Sequence, residues 1–144
     1  MPLTGLQHFL IRAKDVEATK DFYTDVLGLR VGERPSFDFP GYWIYCDDVA
    51  CVHLIPAGPN EMADAYLEKQ GEADGHGSGA IDHLAFGGAD LKGFAENLVK
   101  RGVEMVHREV PDFGLHQLFV HDPDGVMIEI NFPASESVGF EPPT

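Results

Sequence analysis

Basic residues are scarce. Ten Lys and Arg stand against 24 Asp and Glu in 144 residues, a formal net charge of −14. Nucleic acid and anionic membrane surfaces are therefore excluded as expected partners, because both are held by clustered Lys and Arg. Cysteine is scarce too: Cys46 and Cys51 are the only two. That is too few for a disulfide framework, and although they flank a hairpin turn at Asp47-Asp48 they are expected to be reduced and mostly buried. No run approaches eighteen consecutive apolar residues, and the first residues, MPLTGLQHFLIRAKD, lack the basic start and cleavage site of a secretory signal. A cytoplasmic chain is expected. Hydrophobic residues make up 44 % and charged residues 24 %, which is ordinary globular usage and sets disorder aside. The length suits one domain with a substantial core.

Histidine, by contrast, is well represented, at positions 8, 53, 76, 83, 107, 116 and 121. Their placement follows from an internal repeat. LQHFLIRAKDVEATKDFYTDVLGLRV laid over IDHLAFGGADLKGFAENLVKRGVEMV puts His8 on His83 and Asp15 on Asp90 at a shift of 75. Each copy reads as an alternating strand, an Asp N-cap, and an amphipathic helix closed by Gly28 or Gly102. Val16, Phe22, Val26 and Leu29 in one copy, and Leu91, Phe94 and Leu98 in the other, recur at near-helical spacing.

GYWIYCDDVACVHLIP and LHQLFVHDPDGVMIEINFP then match as pairs of β-rich runs about an Asp-rich turn, and a shift of 76 lays His53 on Glu129. Each copy is thus strand, helix and three strands, over residues 5–56 and 80–132 of a single domain 1–144. Residues 57–79 read as a linker or lid with a short helix over Met62–Gln70, and 133–144 as an extended arm. The class is α+β with mixed or antiparallel sheets.

Strand alternation assigns faces. Phe9 and Ile11 share one face, and His8, Leu10 and Arg12 the other; Leu84 and Phe86 oppose His83; Val126, Ile128 and Ile130 oppose Glu129. The apolar sets can lie under the helices, so His8, His53, His83 and Glu129 point away from them. An approximate two-fold relation between the copies would gather the four on a concave side. With histidine at 7 of 144 positions, a matched pair arises by chance about one time in twenty. Two imidazoles and a carboxylate suit a borderline divalent cation with coordination positions left open. A single strand histidine is more often a hydrogen-bonded structural residue, and His76, His107, His116 and His121, without repeat partners, are read as surface or local residues.

The strings HFLIRAKDVEATKDFYTDVLGL, IDHLAF and HDPDGVMIEINFP resemble the vicinal oxygen chelate superfamily, which includes glyoxalase I, extradiol dioxygenases, methylmalonyl-CoA epimerase and the fosfomycin and bleomycin resistance proteins. The resemblance implies paired βαβββ modules forming a partly closed mixed-sheet barrel, with a divalent metal on His8, His83 and Glu129. It also implies a homodimer and a small substrate with neighbouring oxygens. The fourth family position, a Glu in glyoxalase I, is His53 here, a departure that leaves it either a ligand or a base.

Three functions follow as expectations. The first is a metal-dependent enzyme whose set of two histidines and one glutamate suits dioxygenase-like chemistry with Fe(II) or Mn(II). The second is a glyoxalase-like lyase or isomerase using His53 as base, with Ni, Co or Zn, in which Arg12 resembles the arginine that glyoxalase I directs at a glutathione carboxylate. The third is a metal-free drug-binding resistance protein whose acidic surface attracts a cationic antibiotic. Arg12, Trp43, Tyr45, Phe113 and Phe119 are the candidate substrate contacts, although core packing is the commoner role of such aromatic rings.

Overall fold

A computed structural model describes residues 6–58, 62, 77–79, 81–111 and 114–142. The chain divides into two compact units, Met1–His76 and Gly77–Thr144. The first contains β1 (Phe9–Ala13), α1 (Val16–Asp21) running directly into a π turn (Phe22–Val26), β2 (Arg30–Gly32), β3 (Tyr42–Cys46) and β4 (Val49–Pro56). The second contains β5 (His83–Gly87), α2 (Leu91–Lys100), β6 (Val106–Val110), β7 (Leu115–His121), β8 (Met127–Pro133) and a 3-10 turn (Ala134–Ser137). The element order of the repeat is thus present twice, and each module is one open, four-stranded mixed sheet.

Strand order is the same in both: β1-β4-β3-β2 and β5-β8-β7-β6. β1 runs parallel to β4 and β5 to β8, while the remaining neighbours are antiparallel. A parallel pair needs a crossover, which the rest of each module supplies. The helices start where expected. Asp15 accepts from the Ala18 N–H and Asp90 from the Gly93 N–H, both at 3.1 Å. They stop at Gly28 and Gly102, whose φ values of +77° and +69° favour glycine. At the Asp-Pro-Asp-Gly turn the Asp122 carboxylate accepts from the N–H groups of Asp124 and Val126, at 2.8 and 2.9 Å.

Of the apolar faces assigned by alternation, Ile11, Val126, Ile128 and Ile130 are buried and Phe9, Leu84 and Phe86 are half-buried. Ile11, Ala13, Phe22, Tyr23, Val26, Ile44, Val52 and Leu54 form the interior of module one, where α1 lies against β1 and β4. Leu91, Ala95, Leu98, Leu118, Ile128 and Phe132 do the same in module two, with the Phe94 ring edge-on to Phe132 at 5.7 Å. The opposite sheet face is left for polar and aromatic side chains.

Several expectations are corrected or fall elsewhere. The stretch after β8 is not an extended arm: Glu136 accepts from the Leu91 N–H at 2.7 Å, where a carboxylate satisfies the open start of α2, and Phe140 lies edge-on to His116. His116 is no surface residue, being 2 % exposed on the apolar face of β7, with Nδ1 2.7 Å from the Ser137 hydroxyl. The helix expected over Met62–Gln70 lies outside the described residues apart from Met62, as do His76 and Phe113. Both cysteines are free, half-buried thiols: Cys46 pairs with Val49 in the β3–β4 hairpin, so Cys51 is not its cross-strand partner.

Candidate functional site

In module one, His53 sits on β4 beside Leu10 of β1 and Trp43 of β3 in the strand register. Neighbours in register point to the same side of a sheet, so His53 and Trp43 meet face to face, their ring centroids 4.1 Å apart. His8 stacks on His53 at 3.8 Å, so the His53 ring is held between two others. His8 lies one residue before β1 and is exposed, whereas His53 is buried.

The His53 Nε2–H donates to the Ala50 carbonyl at 3.0 Å, which leaves the Nδ1 lone pair available. Burial, and then the neighbouring His8, lower the pKa of His53 to about 4, so its ring is neutral near pH 7 and keeps a lone pair free. His8 donates from Nδ1 to the Gln7 side chain at 2.9 Å, leaving its Nε2 as the electron-pair donor.

Module two carries the tighter arrangement. His83 opens β5 and Glu129 lies on the adjacent β8, with His83 Nε2 2.8 Å from Glu129 Oε2. On the other side of the ring, His83 Nδ1 donates to Asp82 at 2.7 Å. The two carboxylates, Asp82 foremost, raise the pKa of His83. Glu129 is 8 % exposed, and its second oxygen accepts from Gln117 Nε2 at 2.6 Å. Gln117 also donates to Asn131 and accepts from both Nε and Nη2 of Arg108, at 3.0 and 2.8 Å. One connected chain, Arg108–Gln117–Glu129–His83–Asp82, thus fixes Glu129 and the His83 ring in place.

The donor set suits a divalent ion. In module two a ring nitrogen and a carboxylate oxygen face one another while the far side of each is held by a protein partner, which is how outer partners orient metal ligands. Among the described residues, no group of three or more His, Cys, Asp or Glu is placed to hold a metal. Module one holds His8 and His53 as candidate donors, and module two holds His83 and Glu129.

The aromatic candidates divide. Trp43 and Tyr45 line a cavity of about 600 Å³ in module one together with His8, His53, Phe37 and Phe39. Phe119 is in register with Glu129 and edge-on to His83 at 6.5 Å. Arg12, the expected substrate cation, is half-buried on β1 opposite Ile55 in register. The arginine in the cavity wall is instead Arg34, which sequence reading missed, along with Gln117, Asp82 and Arg108. Gln117 carried a signal: on β7 it has the parity of Phe119, so a polar side chain was destined for the Glu129 face.

No helix among the described residues is long and apolar enough to cross a membrane. Compared with known proteins, the chain is 31 % identical over 131 residues to Glyoxylase I 4 of Arabidopsis thaliana, covering 89 % of this chain and 70 % of the relative. It is 29 % identical over 127 residues to a lactoylglutathione lyase of Haemophilus influenzae, covering 85 % and 87 %. Among solved structures, the antibiotic-binding protein TnmS3 of Streptomyces sp. CB03234 superposes with a TM-score of 0.64 at 22 % identity over 92 % of this chain and 98 % of that one, a likeness of fold. A sequence model matches residues 5–130, and with the duplicated βαβββ module it makes this chain a member of the Glyoxalase/Bleomycin resistance protein/Dioxygenase superfamily.

Proposed function

We propose that the protein is a divalent-metal-dependent lyase or isomerase of glyoxalase type. In this reading His8, His83 and Glu129 hold the metal, His53 moves the substrate proton, and Arg12 assists in binding. The observation that carries it is the His83–Glu129 pair, 2.8 Å apart and fixed from behind by Asp82 and Gln117. A bound cation would supply Lewis acidity toward two neighbouring substrate oxygens.

The protein's own contribution is clearer. His53, neutral and wedged between two rings, presents Nδ1 as a general base in the place where glyoxalase I has Glu. Glu129 and His83 stay oriented whether or not substrate is present, because each is tied to a further side chain. That curated relatives carry the name lactoylglutathione lyase favours proton-transfer chemistry over O₂ chemistry, and the hemithioacetal of a 2-oxoaldehyde with glutathione is the first substrate to try.

The test is metal analysis of the purified protein beside His83→Ala, followed by turnover with Ni, Co, Zn or Mn. The expected result is tight metal binding lost in His83→Ala, and His53→Ala that retains metal but loses turnover. Equal metal binding by wild type and His83→Ala sinks the site. A second reading, ring-cleaving dioxygenase chemistry on Fe(II), is favoured by the aromatic cavity wall of Phe37, Phe39 and Trp43. Stoichiometric O₂ uptake with a catechol would select it.

A further inference from the structure

The two modules differ at one arginine. In module two, Val106 of β6 pairs with Phe119, and Arg108 stands two residues further along, opposite Gln117. In module one, Gly32 of β2 pairs with Trp43, and Arg34 stands two residues further along. Trp43 and Phe119 are repeat equivalents at the shift of 76 that relates His53 to Glu129, so Arg34 and Arg108 are equivalents too. Each guanidinium covers aromatic rings: Arg108 lies over Phe119 at 5.2 Å, Arg34 over Phe37 at 5.0 Å and Phe39 at 5.4 Å.

Their partners diverge. Nε of Arg108 donates to the amide oxygen of Gln117. Among the described residues Nε of Arg34 is buried with no hydrogen-bond partner, while its Nη1 donates to the carbonyls of Phe39 and Gly41. The cause is the residue that stands where Gln117 does. In module one it is Gly41, and any side chain there is blocked: a Cβ would lie 2.4 Å from the Leu54 carbonyl oxygen and 3.4 Å from Arg34 Nη2.

We infer that Arg34 is a carboxylate-binding residue, and that the cavity of module one takes a small carboxylic acid with a flat apolar body, its carboxylate accepting from Arg34 Nε as Gln117 accepts from Arg108. A buried guanidinium donor without an acceptor is costly to keep, and a planar anion satisfies it in the geometry that guanidinium favours. The cavity is large enough for a bicyclic acid at about 600 Å³, and Trp43, Phe37 and Phe39 offer flat apolar surface beside the cation. In a chain of net charge −14, capture of an anion needs such a local, partly desolvated cation. The inference rests on the preceding reading for its place beside the reacting atoms, yet its test needs no metal, so the two fail separately.

The test is calorimetric titration of chelator-treated, full-length protein with 1-naphthoate, 1-naphthamide and S-hexylglutathione. The expected result is naphthoate binding at least about tenfold tighter than the uncharged amide, the lower end of what a hydrogen bond to a charged group supplies. Arg34→Gln should abolish that preference, Arg34→Lys should reduce it, and Arg101→Gln, an equal charge change at the exposed end of α2, should leave it intact. Should Arg34→Gln fail to fold because the Phe39 and Gly41 carbonyls lose their donor, the wild-type Arg34 Nε–H NMR resonance takes its place: it should shift saturably with naphthoate and not with naphthamide. Equal affinities for acid and amide, a preference that survives in folded Arg34→Gln, or an Nε–H resonance unmoved by naphthoate would overturn the proposal. Arg34-dependent binding of S-hexylglutathione without naphthoate would overturn the flat apolar body.

Discussion

Replacing Gln117 with leucine isolates the part of the candidate metal site that belongs to the protein alone. Gln117 is 7 % exposed and joins Arg108, Asn131 and Glu129 through four hydrogen bonds. Leucine has nearly the same volume, so the substitution removes the polar groups without leaving a cavity. Arg108 is exposed and regains water, so its two bonds contribute little to the cost. Glu129 is buried and does not, and losing one donor to a buried carboxylate costs about 1.5–3 kcal/mol, partly offset by the apolar gain of leucine. A net loss of about 1–2 kcal/mol should appear in urea unfolding with an unchanged m value.

The functional effect should be larger than that stability loss implies. Released at one oxygen, Glu129 becomes one rotamer among several, and the loss of an outer partner of a metal ligand weakens binding by roughly ten- to a hundredfold. Competition titration with a chromophoric chelator and Zn or Ni reads this directly. Gln117→Leu that binds metal within about threefold of wild type, well short of that range, would refute the view that the Gln117–Glu129 bond positions the ligand.

Four further outcomes follow from the packing and titration of the modules. Phe132→Ala removes a fully buried ring between α2 and β8 and should cost about 3–5 kcal/mol by chemical denaturation. Asp90→Ala loses the cap on α2 and also places a β-carbon without a local hydrogen bond at φ +63°, so it should cost about 1–2 kcal/mol, more than Asp90→Gly, whose loss is only a few tenths of a kcal/mol. Burial, and then the charge of His107, lower the folded pKa of His116, so the unfolded state binds more protons below the ordinary value of 6.5. Stability from this residue is therefore full above pH 6.5 and lost as pH falls toward the folded pKa, and the loss should be smaller in His116→Phe when unfolding is followed from about pH 7 down to about pH 5. Glu136→Gln should weaken the tie between the C-terminal segment and α2, seen as faster amide exchange at Leu91.

The parts of this molecule that were legible in the sequence are those governed by period and by local backbone chemistry. The Asp15 and Asp90 caps, the Gly28 and Gly102 stops and the alternation that buries Ile11, Ile128 and Ile130 are decided within a few residues, so they survive reading without a structure. The repeat added the pairing of histidines across copies, because duplication keeps positions in register even where the residues have changed. What escaped was cross-strand chemistry. That Gln117 reaches Glu129 depends on the register of β7 against β8, which the Asp-Pro-Asp-Gly turn joins without showing which side chains meet across them. His116, read as a surface or local residue, has the parity of Leu118 and Val120 and so lies on the apolar face, and its hydroxyl partner Ser137 comes from a segment without any periodicity.

Duplication followed by divergence accounts for what the two copies do differently. Both modules retain an arginine over aromatic rings at the same place, and both retain a histidine at the start of the first strand or one residue before it. In module two the equivalent of Gly41 is Gln117, so the arginine is committed to the amide that in turn donates to the Glu129 carboxylate. In module one the close approach of residue 41 to the Leu54 carbonyl admits only glycine, and the arginine keeps its Nε donor. The same geometry in two copies thus yields an arginine–glutamine brace once and an anion-ready donor once. Gly41→Ala should therefore fail through its backbone contact with Leu54, a disturbance of β3 and β4 visible in the Trp43 fluorescence maximum, before it has any effect on Arg34.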